Sequence, residues 1–251
     1  MFKRRPLRRG PHLFFIILSL LILLSSNAYA GFLSRLLESL GIISGREAPA
    51  ESRIAEGLRE ALSVASVNAV KTAGKTDGYF SNRLVKILLP ESISRYEKGI
   101  RILGYGNELD SFVVSMNRAA EKAAVHAVPI FADAIKSITF DDARKLLSRG
   151  DTAITDFFRD KTFENLYLAF MPAVENELSN FDVTDKYQSV AKAYMSVPVS
   201  GKPELPVLGE YVTSRALEGL FLIMSHEETN IRKNPSARVT DLLKEVFGKG
   251  R

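Results

Sequence analysis

The densest set of groups able to do chemistry lies on two consecutive turns of one segment: Asn117, Arg118, Glu121 and Lys122. Asn117 and Glu121 are four residues apart, as are Arg118 and Lys122, while Arg118 and Glu121 are three apart, so on a helix each can meet another. All four fall on the side away from an apolar seam. That placement reads first as a solvated charged face with local ion pairs, worth about 0.2–0.5 kcal/mol each. Two other arrangements stay open, a polar network buried between helices and a patch gripping an anionic ligand. Arg215, Glu218, Arg232 and Arg238 pose the same question.

Tyr79 and Phe80 follow a glycine in a turn-rich stretch, Gly74 to Asn82. They read as a lid folded back on the core, or as the mouth of a ligand pocket between helices. Acid–base chemistry would draw on Glu121, Asp133 or Glu227, and an envelope hydrolase built on such carboxylates is the alternative function. His226-Glu227-Glu228 is not a metal motif, because neighbours on a helix point about 100° apart and no second histidine follows at the required spacing. Gly74-Lys75-Thr76 lacks the earlier glycine and the preceding strand of a phosphate-binding loop, and Gly74 reads better as a helix C-cap. There is no cysteine, which excludes disulfides, thiolate nucleophiles and zinc-thiolate sites. No cofactor and no metal are expected.

The elements that position these residues are helical. From Ser52 onward almost every segment has a 3.6-residue apolar period, and none alternates like a strand. Ile54, Leu58, Leu62, Ala65 and Ala69 line a first helix. Pro90 precedes a helix over Glu91–Leu103, and Leu109, Phe112, Val113, Met116, Ala120, Ala123 and Ala127 form a long seam that Pro129 interrupts. Thr139 with Asp142 three residues on is a capping box. Asp151 starts a helix at Thr152–Arg159, and Thr162 caps another at Phe163–Leu178, interrupted by Pro172. Val183–Met195 leads into a proline-rich loop. Leu208–Lys233, apolar all round at Leu220–Met224, reads as the central helix, and Arg238–Phe247 with Val239 facing inward is the last. The fold class is all-α, a single multi-helix domain over 52–251.

What precedes that domain reads as a sorting signal. Lys3, Arg4, Arg5, Arg8 and Arg9 are followed by an apolar run from Leu13 to Leu24 and by Ala28-Tyr29-Ala30, the pattern of a signal peptide over 1–30 cleaved after Ala30. The run is shorter than the roughly 20 residues of a membrane span, although an uncleaved inner-membrane anchor is the alternative. Residues 31–51 comprise a short amphipathic helix, Gly31–Ile43, and a polar linker; peripheral membrane contact through Phe32–Ile43 is possible, packing back on the domain preferred. The full chain has 34 basic and 29 acidic residues. Without the five basic residues of the signal, 29 of each remain, which leaves no electrostatic footprint for nucleic acid.

Several stretches carry a resemblance: Lys75-Thr76-Asp77-Gly78-Tyr79, Lys86–Glu91, Ser115–Ala124, Pro129–Lys136, Tyr211–Thr213 with Ala216–Phe221, and Ile231–Arg238. Together they resemble a bacterial family of exported proteins catalogued as a domain of unknown function, number 4197, over about residues 52–248. The resemblance implies a helical, signal-bearing envelope protein and brings no activity, ligand or catalytic residue. The expected role is that of a non-catalytic periplasmic module. It would bind a protein partner or a small apolar ligand between the helices around Asn117–Ala127 and Leu217–Met224.

Overall fold

The computed structural model describes residues 50–147 and 149–248, all of them in helices, turns and loops with no strand among them. The expected signal peptide, the Gly31–Ile43 helix and most of the linker lie outside the described residues.

Among the described residues ten α-helices follow one another: α1 Ala50–Ala73, α2 Glu91–Ser94, α3 Glu97–Ile102, α4 Gly106–Ala124, α5 Ala127–Ile135, α6 Phe140–Leu147, α7 Ala153–Asn180, α8 Val183–Ser196, α9 Leu208–Lys233 and α10 Asp241–Gly248. As its composition predicts, α9 is central and packs most extensively against α1 and α7. Leu220, Phe221, Ile223 and Met224 are buried, and Leu222 alone of that run faces outward. Phe221 meets Phe131 of α5 edge-on at 5.5 Å between ring centroids and Phe158 of α7 at 5.9 Å. Such contacts join three helices at the centre with aromatic geometry as well as buried area. α4 packs on α7 and α8. Its alanines 119, 120, 123 and 124 are fully buried, so neighbouring backbones approach closely there.

Helix ends are met by side chains. Thr139 and Asp142 form the expected capping box, with the Asp142 N–H donating to Thr139 Oγ1 at 3.2 Å and the Thr139 N–H to Asp142 Oδ2 at 3.0 Å. The Thr139 contacts, aided by Lys161, bring the Asp142 carboxyl down to about 2. At the other polarity, Lys202 donates to the carbonyls of Tyr194 and Met195 in the last turn of α8 and of Val197 just after it. Arg238 does the same for Ile231 and Arg232 at the end of α9. Both put positive charge where helix carbonyls are unpaired.

Four expectations are corrected. The segment 91–103 is two short helices rather than one. Thr162 does not start a helix: its hydroxyl donates to Phe158 O at 2.6 Å within α7, which runs unbroken through Pro172. A threonine bonded back one turn satisfies itself inside a helix, so the N-cap signal is ambiguous. The last helix begins at Asp241, not Arg238, with Thr240 Oγ1 accepting the Leu243 N–H. Val239 consequently lies in the preceding loop, 60% exposed.

Candidate functional site

Between α1 and α2 the chain runs as an irregular strap, residues 74–90, across α4 and α9. Glycine makes its first bend possible. A Cβ on Gly78 would lie 2.2 Å from Ala73 O and 2.5 Å from Thr72 O, inside the end of α1, so no side chain fits. The preceding Asp77 is left-handed at φ 65°. This bend turns Tyr79 inward rather than to the surface: its side chain is fully buried and its hydroxyl donates to Ala216 O of α9 at 2.6 Å. Gly219 opens the seat, since a Cβ there would sit 2.8 Å from Tyr79 Cε1. Burial, with the Glu121 carboxylate beside it, pushes the Tyr79 phenol far above its ordinary range.

The strap lies on the polar side of α4, and that overturns the reading of a solvated face. Asn117 is fully buried and Glu121 is 2% exposed. Glu121 Oε1 accepts the backbone N–H groups of Tyr79 at 3.2 Å and Phe80 at 3.1 Å. Its other oxygen accepts from Arg118 at 2.7 Å, and Arg118 reaches on to Asp77 Oδ1 at 2.7 Å. That guanidinium holds the Asp77 carboxyl below its usual range. Asn117 accepts the Ile87 N–H at 2.9 Å and donates to Ile87 O at 2.8 Å, as a neighbouring strand would, and its second N–H goes to Val113 O. A buried backbone without sheet or helix partners needs such substitutes. Lys122, one turn beyond Arg118, is exposed and stands outside the network.

A second buried carboxylate sits on α9. Glu228, 2% exposed, accepts the N–H groups of Ile154 at 3.1 Å and Thr155 at 2.7 Å in the first turn of α7, the Thr155 hydroxyl, and Arg232 Nε at 2.9 Å. Arg232 also donates to Leu147 O and Leu146 O at the end of α6. One ion pair therefore caps a helix start and a helix end at once, with each charge facing the pole it favours.

The remaining candidates for acid–base work are dispersed. Asp133 is exposed and paired with Lys136 at 2.8 Å, while Glu227 accepts from Asn68 at 2.9 Å. His126 and His226 are both exposed. Among the described residues no group of three histidines or carboxylates is placed to hold a metal ion. Sequence reasoning missed Glu228 and Glu60 as buried groups. Glu60 of α1 is 3% exposed, and burial pushes its carboxyl up against a hydrogen bond from Thr240.

Outside the network, an open cleft of about 420 Å³ lies beside the strap. Phe80, Lys86, Leu88 and Leu89 of the strap form one side, Val113 and Val114 of α4 another. Ser94, Glu97, Arg101 and Asp110 close the far end. Lys86 Nζ lies 4.0 Å above the Phe80 ring centroid, and Arg118 Cζ is 5.5 Å from the same centroid. Of the two aromatics singled out by sequence, Phe80 alone faces this space. The helical stretches around Asn117–Ala127 and Leu217–Met224 are instead filled with core packing, Ala119–Ala120, Leu220 and Met224 being fully buried.

No curated protein and no solved structure matches the chain. A family model does, over residues 48–248, a span that takes in the strap, α4, α9 and both buried carboxylates. By that match the chain belongs to the family described as a protein of unknown function, DUF4197.

Proposed function

We propose that the protein is an exported binding module of the bacterial envelope, periplasmic after cleavage at Ala30, and that it acts without catalysis. The observation that carries this reading is how the buried polar groups are used. Both oxygens of Glu121 and of Glu228 are taken up by peptide N–H groups and arginines, so these carboxylates serve as anchors for backbone. A general acid or base needs an oxygen within reach of a substrate proton. What the molecule turns outward instead is the open cleft beside the strap, where hydrocarbon side chains lie between charged ends, a concave surface with polar groups that could orient a ligand.

Native mass spectrometry of protein purified gently from its host tests both halves. A chain beginning at Gly31 that carries additional non-covalent mass is the expected result. A chain retaining Met1–Ala30 would overturn the location. A bare chain that also captures no partner on crosslinking in whole cells would overturn the binding role.

A further inference from the structure

The charges around the cleft beside the strap are unequally matched. At its far end, Arg101 is neutralised twice over, donating to Glu97 at 2.9 Å and in a fork to Asp110 at 3.2 and 2.6 Å. At the strap end the half-buried Lys86 has only the face of Phe80, and among the described residues no carboxylate is within ion-pairing distance of it. A ring face occupies only the part of the ammonium turned toward it, so N–H donors remain to meet an anion. Between the two ends lie hydrocarbon walls, Val113, Val114 and Leu89, with Leu88 at the rim and 62% exposed. The two ends therefore differ in sign, with an unmatched ammonium at the strap end and one carboxylate in excess at the other, and an anionic headgroup is drawn to the strap end with its chain along the hydrocarbon walls.

We propose that this cleft binds an anionic amphiphile: an acyl chain lying along Val113, Val114 and Leu88, with its carboxylate or phosphate headgroup on Lys86. The proposal rests on the binding role above and names its ligand. The cleft of about 420 Å³ falls within the ordinary range for small-molecule sites. A neutral headgroup would leave the lysine unmatched, and a cationic one would be repelled by Lys86. Partly screened from water by the Phe80 ring, the ammonium attracts an anion more strongly than a fully hydrated lysine does.

The test is calorimetric titration of the delipidated full chain with three soluble compounds of one chain length: decanoate, decyl maltoside and decyltrimethylammonium. Decanoate is expected to bind at least tenfold more tightly than the maltoside, with the cation weakest. Methyl resonances of Leu88, Val113 and Val114 should move on binding. Lys86→Gln should abolish the preference for decanoate while retaining chain binding, and Lys86→Glu should reverse it. Because Lys86 is half-buried and anchors no backbone, both variants should keep the parent circular dichroism spectrum.

Equal binding of all three compounds would leave the binding role standing and overturn the anionic ligand. Saturable binding that leaves those methyl groups unmoved, or an unchanged preference in Lys86→Gln, would overturn the site. No binding of any decyl compound would overturn the proposal even if the protein from its host carries added mass. Monomeric dihexanoyl phosphatidylglycerol, run as a fourth titrant, separates the two sources. Tighter binding than decanoate assigns a phospholipid, weaker binding a fatty acid, and either supports the ligand class.

Discussion

Glu121 on α4 and Glu228 on α9 each accept two successive backbone N–H groups, and each has an arginine within one helical turn, yet what they hold differs. Glu228 and Arg232 join regular elements, one helix start to one helix end, and they are nearly sealed from water at 3% and 11% side-chain exposure. Glu121 and Arg118 hold a segment with no regular structure of its own, and Arg118 is 26% exposed with its outer partner Asp77 at 47%. The first arrangement is part of the core that unfolds with the whole molecule. The second fastens an attachment to a core that already exists. The same chemistry thus serves global stability in one place and local order in the other.

Removing Glu228 is expected to have the largest effect. Glu228→Ala strands a buried guanidinium and leaves two N–H groups of α7 unpaired, and breaking a buried pair in this way costs about 3–5 kcal/mol. Urea unfolding should show it as a lower midpoint with unchanged slope; a loss no greater than that of the Glu121 variant would erase the contrast. Glu121→Ala should cost about 1–3 kcal/mol, concentrated in the strap. Hydrogen exchange at the amides of Tyr79 and Phe80 should quicken strongly while that of Leu220 in α9 hardly changes. Uniform quickening would mean that the strap is integral to the core.

Asn117→Ala sharpens the comparison further, since it unties Ile87 alone. We expect about 1–2 kcal/mol and faster exchange at Ile87, with Tyr79 and Phe80 still protected by Glu121. Glu60 supplies the smallest effect and the opposite sign. Burial raises its folded carboxyl above the ordinary 4.5, so its contribution is present at pH values below that and is lost as the pH rises through the folded value. Glu60→Gln should therefore flatten the stability profile above pH 4.5 and leave the protein slightly more stable at neutrality. A variant less stable than the parent at pH 7 would mean that Glu60 makes a favourable contact worth more than its burial.

Much of this was legible from residue order. The bounds of α9 follow from its apolar content and the proline after it, and Thr139 with Asp142 announces the start of α6. The strap network was less so, for a physical reason. Periodicity reads which residues avoid water, and Asn117 and Glu121 are buried because another segment happens to cover them, not because they avoid water themselves. Their partners are peptide groups 30 to 42 residues away, and peptide groups carry no sequence signature. Gly78 and Gly219 were the available hints, each a place where backbone or ring must come close. Both lie within stretches that carried the family resemblance, although sequence alone assigned neither a partner.

The bond from the Tyr79 hydroxyl to Ala216 O spans 137 residues, and α1 finds its most extensive packing partner in α9. A chain made from its N-terminus onward can cover part of α1 with α5 and α6, but it leaves the side that α9 covers exposed until almost all of the polypeptide exists. Contacts so distant in sequence form late and slowly, and the waiting surface is open to aggregation meanwhile. Truncation anywhere before Lys233 would remove part of the counterpart that this surface requires, so shortened forms should accumulate as insoluble material. Among the described helices, α1 is made earliest and waits for α9 and α10 before its packing is complete.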